Sequence, residues 1–247
     1  IQFGDVQTST SFTLTNDDLN RISAAVIRVG GLDSGPIDIR EMIEFTIAET
    51  LHLITAGGIT QSNPVKVSSM AVTANDEVSL NLSDNGAGEG GNQFENSAIS
   101  TSKGLISVYS EDPDGMSVKS IDGVDGVRTH NGLINLVEAG GRLVIEDTPE
   151  VWDVSATGDI SLGVVADEGV LSSATGAAVT STQGALGFGA DTLDLSGSIV
   201  AGDQDVPLRP AQVGQATNVG ATSDHTPDTL ELSVYELQTI TARTLTV

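Results

Sequence analysis

The chain has 247 residues, with 34 acidic against 10 basic side chains, a formal charge of −24 and only 3% aromatic residues. So acidic a surface repels phosphate, which excludes nucleic acid and anionic membranes as partners, and the absence of cysteine excludes disulfides, thiolate metal sites and thiol nucleophiles. No run of 18 consecutive apolar residues is present, so no membrane-spanning helix is predicted. The apolar residues are mostly small or β-branched, and such side chains suit a core of thin stacked layers.

A segment near the start of the chain recurs near its end. Residues 12–29 align without a gap with residues 230–247, an offset of 218, and the apolar residues at positions 12, 14, 19, 22, 27 and 29 all recur. Such self-similarity indicates a tandem-repeat protein, so we expect residues 229–247 to begin a further repeat and the chain to continue. One helical turn is conceivable at 17–22, at 235–240 and at 40–49, but Ser, Thr and alternation favour strand and turn in all three.

The first third of the chain contains short alternating runs that predict β-strands. They are Ile27–Val29, Ile37–Ile39, Leu51–Leu53, Val65–Val67 and Val78–Leu80. An acidic, glycine-rich loop at about 83–97 follows them and is predicted to protrude from the fold.

The middle of the chain has a clear period. The pattern Gly-x-apolar-x-apolar begins at positions 28, 26 and 26 residues apart, at Gly104, Gly132, Gly158 and Gly184. Each copy predicts a short strand with one buried face that starts from a glycine.

Each period contains two further short strands separated by turn-forming residues. The second strands are at 116–118, 143–145 and 170–171, and the third strands at 124–127, 151–154 and 177–179. Three strands and three turns in about 26 residues predict one coil of a parallel β-helix, in which like strands stack from coil to coil. The fold class is therefore predicted as all-β, a solenoid.

Several aspartates lie in turns where oxygen ligands for calcium can converge. Asp112 and Asp114 lie in one Asp-Pro-Asp-Gly turn, and Asp122 and Asp125 lie in the next Asp-Gly pair. Asp191 lies within a single partial match, from Gly187 to Asp194, to a calcium-binding nonapeptide, a motif that needs consecutive copies. Solvated turns explain all five better than a metal site, and weakly bound calcium stays open as the one cofactor.

The sequence offers few candidate catalytic or substrate-binding residues for an enzyme. Hydrolysis of a polysaccharide needs two carboxylates across a cleft and usually aromatic platforms, but the only tryptophan is Trp152 and only Asp153 beside it is a suspect acid. The three histidines, at positions 52, 130 and 225, have no metal-ligand spacing. No catalytic residue is assigned, and the chain is predicted not to be an enzyme.

The domain organisation follows from these patterns. Residues 1–206 are predicted to form the repeat unit, and 207–228, which lack alternation, are predicted to form a linker or long excursion before the recurring segment.

The repeat motifs resemble a known family. The segment Leu19-Asn-Arg-Ile-Ser-Ala, followed by Ile27-Arg-Val-Gly and Ser34-Gly-Pro-Ile-Asp-Ile, is similar to the repeats of very large filamentous-haemagglutinin-like bacterial surface proteins. The resemblance covers roughly residues 12–200. It implies a long right-handed parallel β-helix outside the cell, and it carries over no functional residue.

Three functions are therefore weighed. The first is an extracellular structural repeat of a giant bacterial surface protein, which forms a stiff fibre, stalk or surface layer. The second is the shaft of an adhesin that binds a glycan or host surface through loops or a tip domain, and the third is a polysaccharide-degrading β-helix enzyme. The predicted partners are the chain itself, end to end or through tandem repeats, and glycans or cell-surface components.

Overall fold

The computed structural model describes residues 1–4, 12–84, 90–222, 226 and 229–247. The fold is all-β with long parallel sheets, 51% strand and 4% helix. In chain order the strands are β1 (Gln2–Phe3), β2 (Thr13–Leu14), β3 (Val26–Gly31), β4 (Ile37–Ile39), β5 (Ile43–Glu44), β6 (Thr50–Thr55), β7 (Ile59–Gln61), β8 (Val65–Ala74), β9 (Val78–Leu80), β10 (Gln93–Thr101), β11 (Ile106–Ser110), β12 (Met116–Val118), β13 (Ser120–Ile121), β14 (Val124–Asp125), β15 (Val127–Thr129), β16 (Ile134–Glu138), β17 (Arg142–Ile145), β18 (Val154–Ala156), β19 (Ile160–Val164), β20 (Val170–Ser173), β21 (Ala178–Ser181), β22 (Leu186–Gly189), β23 (Thr192–Leu195), β24 (Ser198–Val200), β25 (Asp205–Arg209), β26 (Ala216–Ala221), β27 (Thr229–Ser233), β28 (Ile240–Thr241) and β29 (Thr244–Thr246).

Apart from β13, β14, β26 and β27, which form two separate pairs, the strands form three rows of parallel neighbours. The first row has the order β2-β1-β4-β7-β9-β11-β16-β19-β22-β25-β29. The second row runs β5-β8-β10-β12-β17-β20-β23, and the third runs β3-β6-β8-β10-β15-β18-β21-β24-β28. The long strands β8 and β10 belong to the second row at their starts and to the third at their ends. From β11 to β25 the chain visits the rows in a constant order: first, second, third.

The predicted periodicity matches the strand register. Ile106 pairs with Ile134, Ile134 with Ile160, and Ile160 with Leu186 in the first row. The second row aligns Met116, Leu143 and Leu171, and the third aligns Val127, Val154 and Val179. The spacings of 28, 26 and 26 residues therefore measure one full circuit of the three rows.

One continuous hydrophobic core joins the three rows. Ile134 of the first row, Leu143 of the second and Val154 of the third are at most 1% exposed and belong to the same buried cluster. In the row strands from β11 to β24, alternate residues point into this core, so Ile, Leu and Val of successive strands stack on one another. Burial of these matched layers is the main stabilising term for such a fold.

The glycine that precedes each first-row strand is required by close approach of the chain. A Cβ added to Gly132 would lie 1.8 Å from the carbonyl oxygen of Gly104, and one added to Gly158 would lie 2.8 Å from the Gly132 oxygen. No side chain fits at this spacing, which explains why the repeated pattern begins with glycine.

Two segments predicted as strand and turn are short helices instead. They are α1 (Asn16–Asn20) and α2 (Val234–Gln238), and each begins with a capping box, Thr15 with Asp18 and Ser233 with Glu236. The Ser and Thr residues that argued against helix thus satisfy the first backbone N–H groups of these helices. The third ambiguous segment, 40–49, contains β5, as its alternation predicts.

The two segments predicted to be irregular each contain a strand. Strand β10 begins at Gln93, inside the predicted loop at 83–97, of which residues 85–89 lie outside the described residues. The predicted linker at 207–228 contains β26, which pairs in parallel with β27. All of β26 except Ala221 is exposed, and a strand with no buried face needs no alternation, so its sequence gave no strand signal.

The two copies of the recurring segment both contact the second row. Asn20 Nδ2 of α1 donates to the Glu44 carbonyl (2.8 Å), and Asn16 Oδ1 accepts from the Glu44 N–H (2.9 Å), both on β5. A Glu236 carboxyl oxygen of α2 accepts from the Leu195 N–H of β23. Strands β5 and β23 are the first and last of the second row, so the two helices lie at its opposite ends.

Candidate functional site

The single tryptophan borders a cavity on the outer surface of the third row. This cavity has a volume of about 240 Å³. Trp152 is 50% exposed, although most of the other apolar side chains of neighbouring strands are buried. The residues that line the cavity include Arg128, His130, Trp152, Ser155, Thr157 and Thr180.

The strand register builds the floor of this cavity. Arg128, Ser155 and Thr180 occupy the same outward position on β15, β18 and β21. A guanidinium nitrogen of Arg128 lies 3.3 Å from a carboxyl oxygen of Glu150. Within the described part of the chain, the buried Nε of Arg128 has no hydrogen-bond partner.

A second cavity continues from the first along the same row. It has a volume of about 370 Å³ and shares His130 with the cavity at Trp152. Its other polar lining residues include Thr55, Thr73, Asn75, Ser100 and Ser102. We call the two cavities together the trough: a groove on the third row with a largely apolar surface, about half of whose lining residues are Ser or Thr, and with Trp152 near one end.

The acid beside Trp152 has a structural role. Asp153 is fully buried, and its two carboxyl oxygens accept hydrogen bonds from the backbone N–H groups of Thr148 and Ala178, both at 2.7 Å. It anchors the loop before β18 to the following coil. A carboxylate with both oxygens occupied by buried N–H groups is not presented to a substrate, so this suspect acid is not in a position for hydrolysis.

Asp112 and Asp114 form a local turn. Asp112 Oδ1 accepts a hydrogen bond from the Asp114 backbone N–H at 3.0 Å, an arrangement common in aspartate turns. Burial raises the pKa of Asp112. Both aspartates line one cavity, which Lys66, Glu44 and Glu95 also line.

Asp122 and Asp125 lie in an antiparallel hairpin that the sequence did not predict. Strands β13 and β14 pair around Asp122 and Gly123, both with positive φ, and Ile121 and Val124 pack on Ala71 and Ala98. The hairpin therefore covers part of the outer surface of the third row. Asp125 accepts from the Ser120 hydroxyl (2.5 Å), away from the Asp122 contacts.

Asp122, at the tip of the hairpin, forms hydrogen bonds and ion pairs with residues of earlier strands. Asp122 Oδ2 accepts from Arg28 Nε (2.7 Å) and lies 2.6 Å from His52 Nδ1, while His52 Nε2 lies 3.1 Å from Thr73 Oγ1. Hydrogen bonds from Arg28, with a further one from His52, outweigh burial and lower the pKa of Asp122 to about 2. We call these contacts the latch; they occupy the carboxylate that was predicted as a calcium ligand.

Breaking the latch has an expected cost in stability. Asp122→Asn is expected to lower the free energy of unfolding at pH 7 by about 1–2 kcal/mol. The shift of the Asp122 pKa from 3.8 to about 2 corresponds to about 2.4 kcal/mol of preference for the carboxylate, and the solvent exposure of Arg28 reduces this value. The folded pKa is depressed, so this contribution is full above about pH 4 and is lost as pH falls towards 2.

Urea unfolding at pH 7 and pH 2.5 measures this contribution. Asp125→Asn, in the same hairpin but outside the latch, is the matched control and is expected to change stability by less than about 0.5 kcal/mol. Equal losses in the two variants, or a loss that persists undiminished at pH 2.5, would contradict the assignment.

Asp191 and the histidines do not assemble a metal site. Asp191 Oδ2 accepts from the Glu168 backbone N–H at 2.9 Å, and its Oδ1 is buried without a partner in the described chain. His225 lies outside the described residues. Over the described ranges, no group of three or more His, Cys, Asp or Glu side chains is placed to hold a metal ion.

Sequence reasoning missed one strongly perturbed carboxyl group. Glu138 is fully buried at the end of β16, on the same side as Ile134 and Leu136. Burial raises its pKa to about 8, although hydrogen bonds from the Gly140 N–H and the Ser110 hydroxyl oppose the rise. The sequence could have predicted this burial, because the alternation of buried residues that begins at Ile134 places residue 138 on the core side of the strand.

Comparison with known proteins gives no relative. No protein-family model, no curated protein and no solved structure matches this chain. The resemblance to filamentous-haemagglutinin-like repeats therefore stays a prediction.

Both helices of the described chain have five residues, and neither is long and apolar enough to span a bilayer.

Proposed function

We propose that this chain is a segment of a right-handed parallel β-helix in which each circuit of the three rows is one coil. The constant order of visits and the in-register pairing from β11 to β25 support this architecture. Each coil contributes one strand to each row and one layer to the common core. The proposed solenoid gains length by adding coils, without any change of design.

We further propose that its work is structural, as an extracellular repeat of a fibre, stalk or surface layer. The observation that carries this proposal is the first row, in which eleven strands pair in parallel without interruption. With about 4.8 Å between strands, ten intervals make a stiff rod about 48 Å long. The cysteine-free, acidic composition supports a place outside the cell, where no thiol is exposed to oxidation.

The proposed partner is the chain itself, through further tandem repeats or through end-to-end stacking. Within the described residues, the outermost strands β28 and β29 are hydrogen-bonded on one side only, and such edges favour addition of another strand. The helices α1 and α2, which belong to the two copies of the recurring segment, lie at opposite ends of the second row. This placement supports a junction between neighbouring repeat units that recurs once per unit. Covalent continuation and non-covalent stacking use the same edges.

The second candidate is the shaft of an adhesin, and the trough is the observation that favours it. A groove on a stiff support suits recognition of a surface glycan. The enzyme alternative is less favoured, because Asp153, the acid considered for catalysis, accepts hydrogen bonds from backbone N–H groups at both carboxyl oxygens.

Negative-stain electron microscopy of the purified chain, with and without a calcium chelator, tests the structural proposal. We expect rods whose length is about 48 Å or a multiple of it, in orderly end-to-end arrays. Loss of the arrays on chelation would assign the turn at Asp112 and Asp114 a role in calcium-dependent assembly. Globular particles, or rods that remain single at all concentrations, would contradict self-assembly of this segment.

A further inference from the structure

Two independent features of the trough point to a ligand. Trp152 is 50% exposed to solvent, in a chain in which aromatic side chains are scarce. The Nε of Arg128 is a buried donor at the same cavity and is without a protein partner among the described residues. An exposed aromatic face costs free energy that a stacked molecule would recover, and the Arg128 side chain, which is 26% exposed, places hydrogen-bond donors at the same cavity.

The charge of the trough selects the kind of molecule. The Arg128 guanidinium is already paired with Glu150, so it offers a hydrogen bond but little net positive charge. The chain as a whole carries −24, which opposes the approach of an anion. The remaining polar groups of the floor, Ser155 and Thr180, are neutral hydroxyls. A ligand for this surface is therefore uncharged, has an apolar face and has many hydroxyl groups.

We propose that the trough binds an uncharged saccharide chain that lies along the third row, with one sugar ring stacked on Trp152. The C–H groups on one face of a pyranose meet the negative face of the indole. The sugar hydroxyls accept from the exposed part of the Arg128 guanidinium and exchange hydrogen bonds with Ser155 and Thr180. This inference rests on the second candidate function, recognition of a glycan at the trough, names the class of glycan, and does not depend on end-to-end stacking.

The geometry of the row favours a polymer over a single sugar. Successive strands offer a hydroxyl at the same outward position, as Ser155 and Thr180 do, about 4.8 Å apart. The shared residue His130 connects the cavity at Trp152 to the one lined by Thr73 and Ser100. A linear chain of sugars is thus able to contact both cavities at once.

Trp152 is the only tryptophan, so its fluorescence reports directly on the trough. The native protein is titrated with cellohexaose, maltohexaose and chitohexaose, and with hexagalacturonate as an anionic probe of equal length. We expect a saturable blue shift with at least one neutral hexasaccharide and none with the anionic one. No saturable change with any neutral probe up to about 10 mM, or equal binding of the anionic probe, overturns the proposal.

Calorimetry with the best neutral probe locates the contact. Trp152→Ala is expected to weaken binding at least tenfold, and Thr180→Val several-fold, with circular dichroism to check that each variant folds. Val151→Ala, which changes the adjacent exposed residue outside the cavity lining, is the matched control and is expected to bind as the wild type does. Unchanged affinity in Trp152→Ala and in Thr180→Val would place the sugar elsewhere. Thr180→Val keeps the fluorescent reporter, so the proposal remains testable if Trp152→Ala fails to fold.

Discussion

Replacement of Glu138 by glutamine is expected to abolish a strong pH dependence of stability. Burial raises the folded pKa of Glu138 to about 8 from an ordinary value of 4.5. Between these two pH values the unfolded chain has released the proton that the folded chain retains. The contribution of Glu138 to wild-type stability should therefore be greatest below about pH 4.5 and fall by about 1.4 kcal/mol per pH unit up to pH 8.

The size of this effect makes it easy to measure. At pH 7 the wild type has lost about 3 kcal/mol for this reason, whereas Glu138→Gln has no proton to release. The glutamine oxygen still accepts from the Gly140 N–H, so the variant keeps the local geometry. In urea unfolding from pH 5 to pH 8, the free energy of unfolding of the variant should increase relative to that of the wild type as pH rises.

The control removes an acid of the same type from the surface. Glu77 is exposed, and Glu77→Gln should follow the wild-type curve at every pH. The other acidic groups change their repulsion equally in all three proteins, so the difference between curves isolates Glu138. Parallel curves for Glu138→Gln and the wild type would show that the buried carboxyl does not control the pH dependence.

Alanine in place of Gly132 is expected to cost at least about 3 kcal/mol or to prevent folding. The new Cβ would lie 1.8 Å from the Gly104 carbonyl oxygen and 2.8 Å from Thr129 Oγ1. Relief requires the two coils to separate, which would break the bond from Thr129 Oγ1 to the Gly104 oxygen. The penalty arises from backbone contact between coils, so no side-chain rotation removes it.

Gly35 provides the matched control for this substitution. An added Cβ at Gly35 has nothing within 4 Å, and its φ lies outside the left-handed region. Gly35→Ala is therefore expected to change the free energy of unfolding by less than about 0.5 kcal/mol. Urea and thermal unfolding compare the two variants, and similar small losses in both would contradict the close stacking of coils at Gly132.

The sequence predicted the features that repeat and missed those that do not. Stacked parallel strands keep the same phase at every coil, so the interval from Ile106 to Ile134 and then to Ile160 could be measured directly on the sequence. The helix α1 was missed because strand propensity was weighed above the cap that Thr15 and Asp18 form. The exposed strand β26 has no buried side, so alternation could not reveal it.

The latch was beyond sequence reasoning for a different reason. Asp122 and Arg28 are 94 residues apart and meet only because the hairpin reaches back over earlier strands of the third row. Asp-Gly at 122–123 is a local hairpin signal, but it does not say where the hairpin packs. The trough likewise depends on the loop before β18, whose direction Asp153 sets through its two backbone contacts.

Disulfide trapping tests the stacking of coils most directly, because the chain has no native cysteine. Asn135 and Ser161 are register partners on β16 and β19, and Gly187 on β22 is the next partner in the row. Cα atoms one strand apart are separated by about 4.8 Å and two strands apart by about 9.6 Å, and only the first distance suits a disulfide. Mild oxidation should rapidly crosslink Asn135→Cys with Ser161→Cys and should leave Asn135→Cys with Gly187→Cys reduced. No crosslink in the first pair, or equal crosslinking in both, would contradict the stacked-coil architecture.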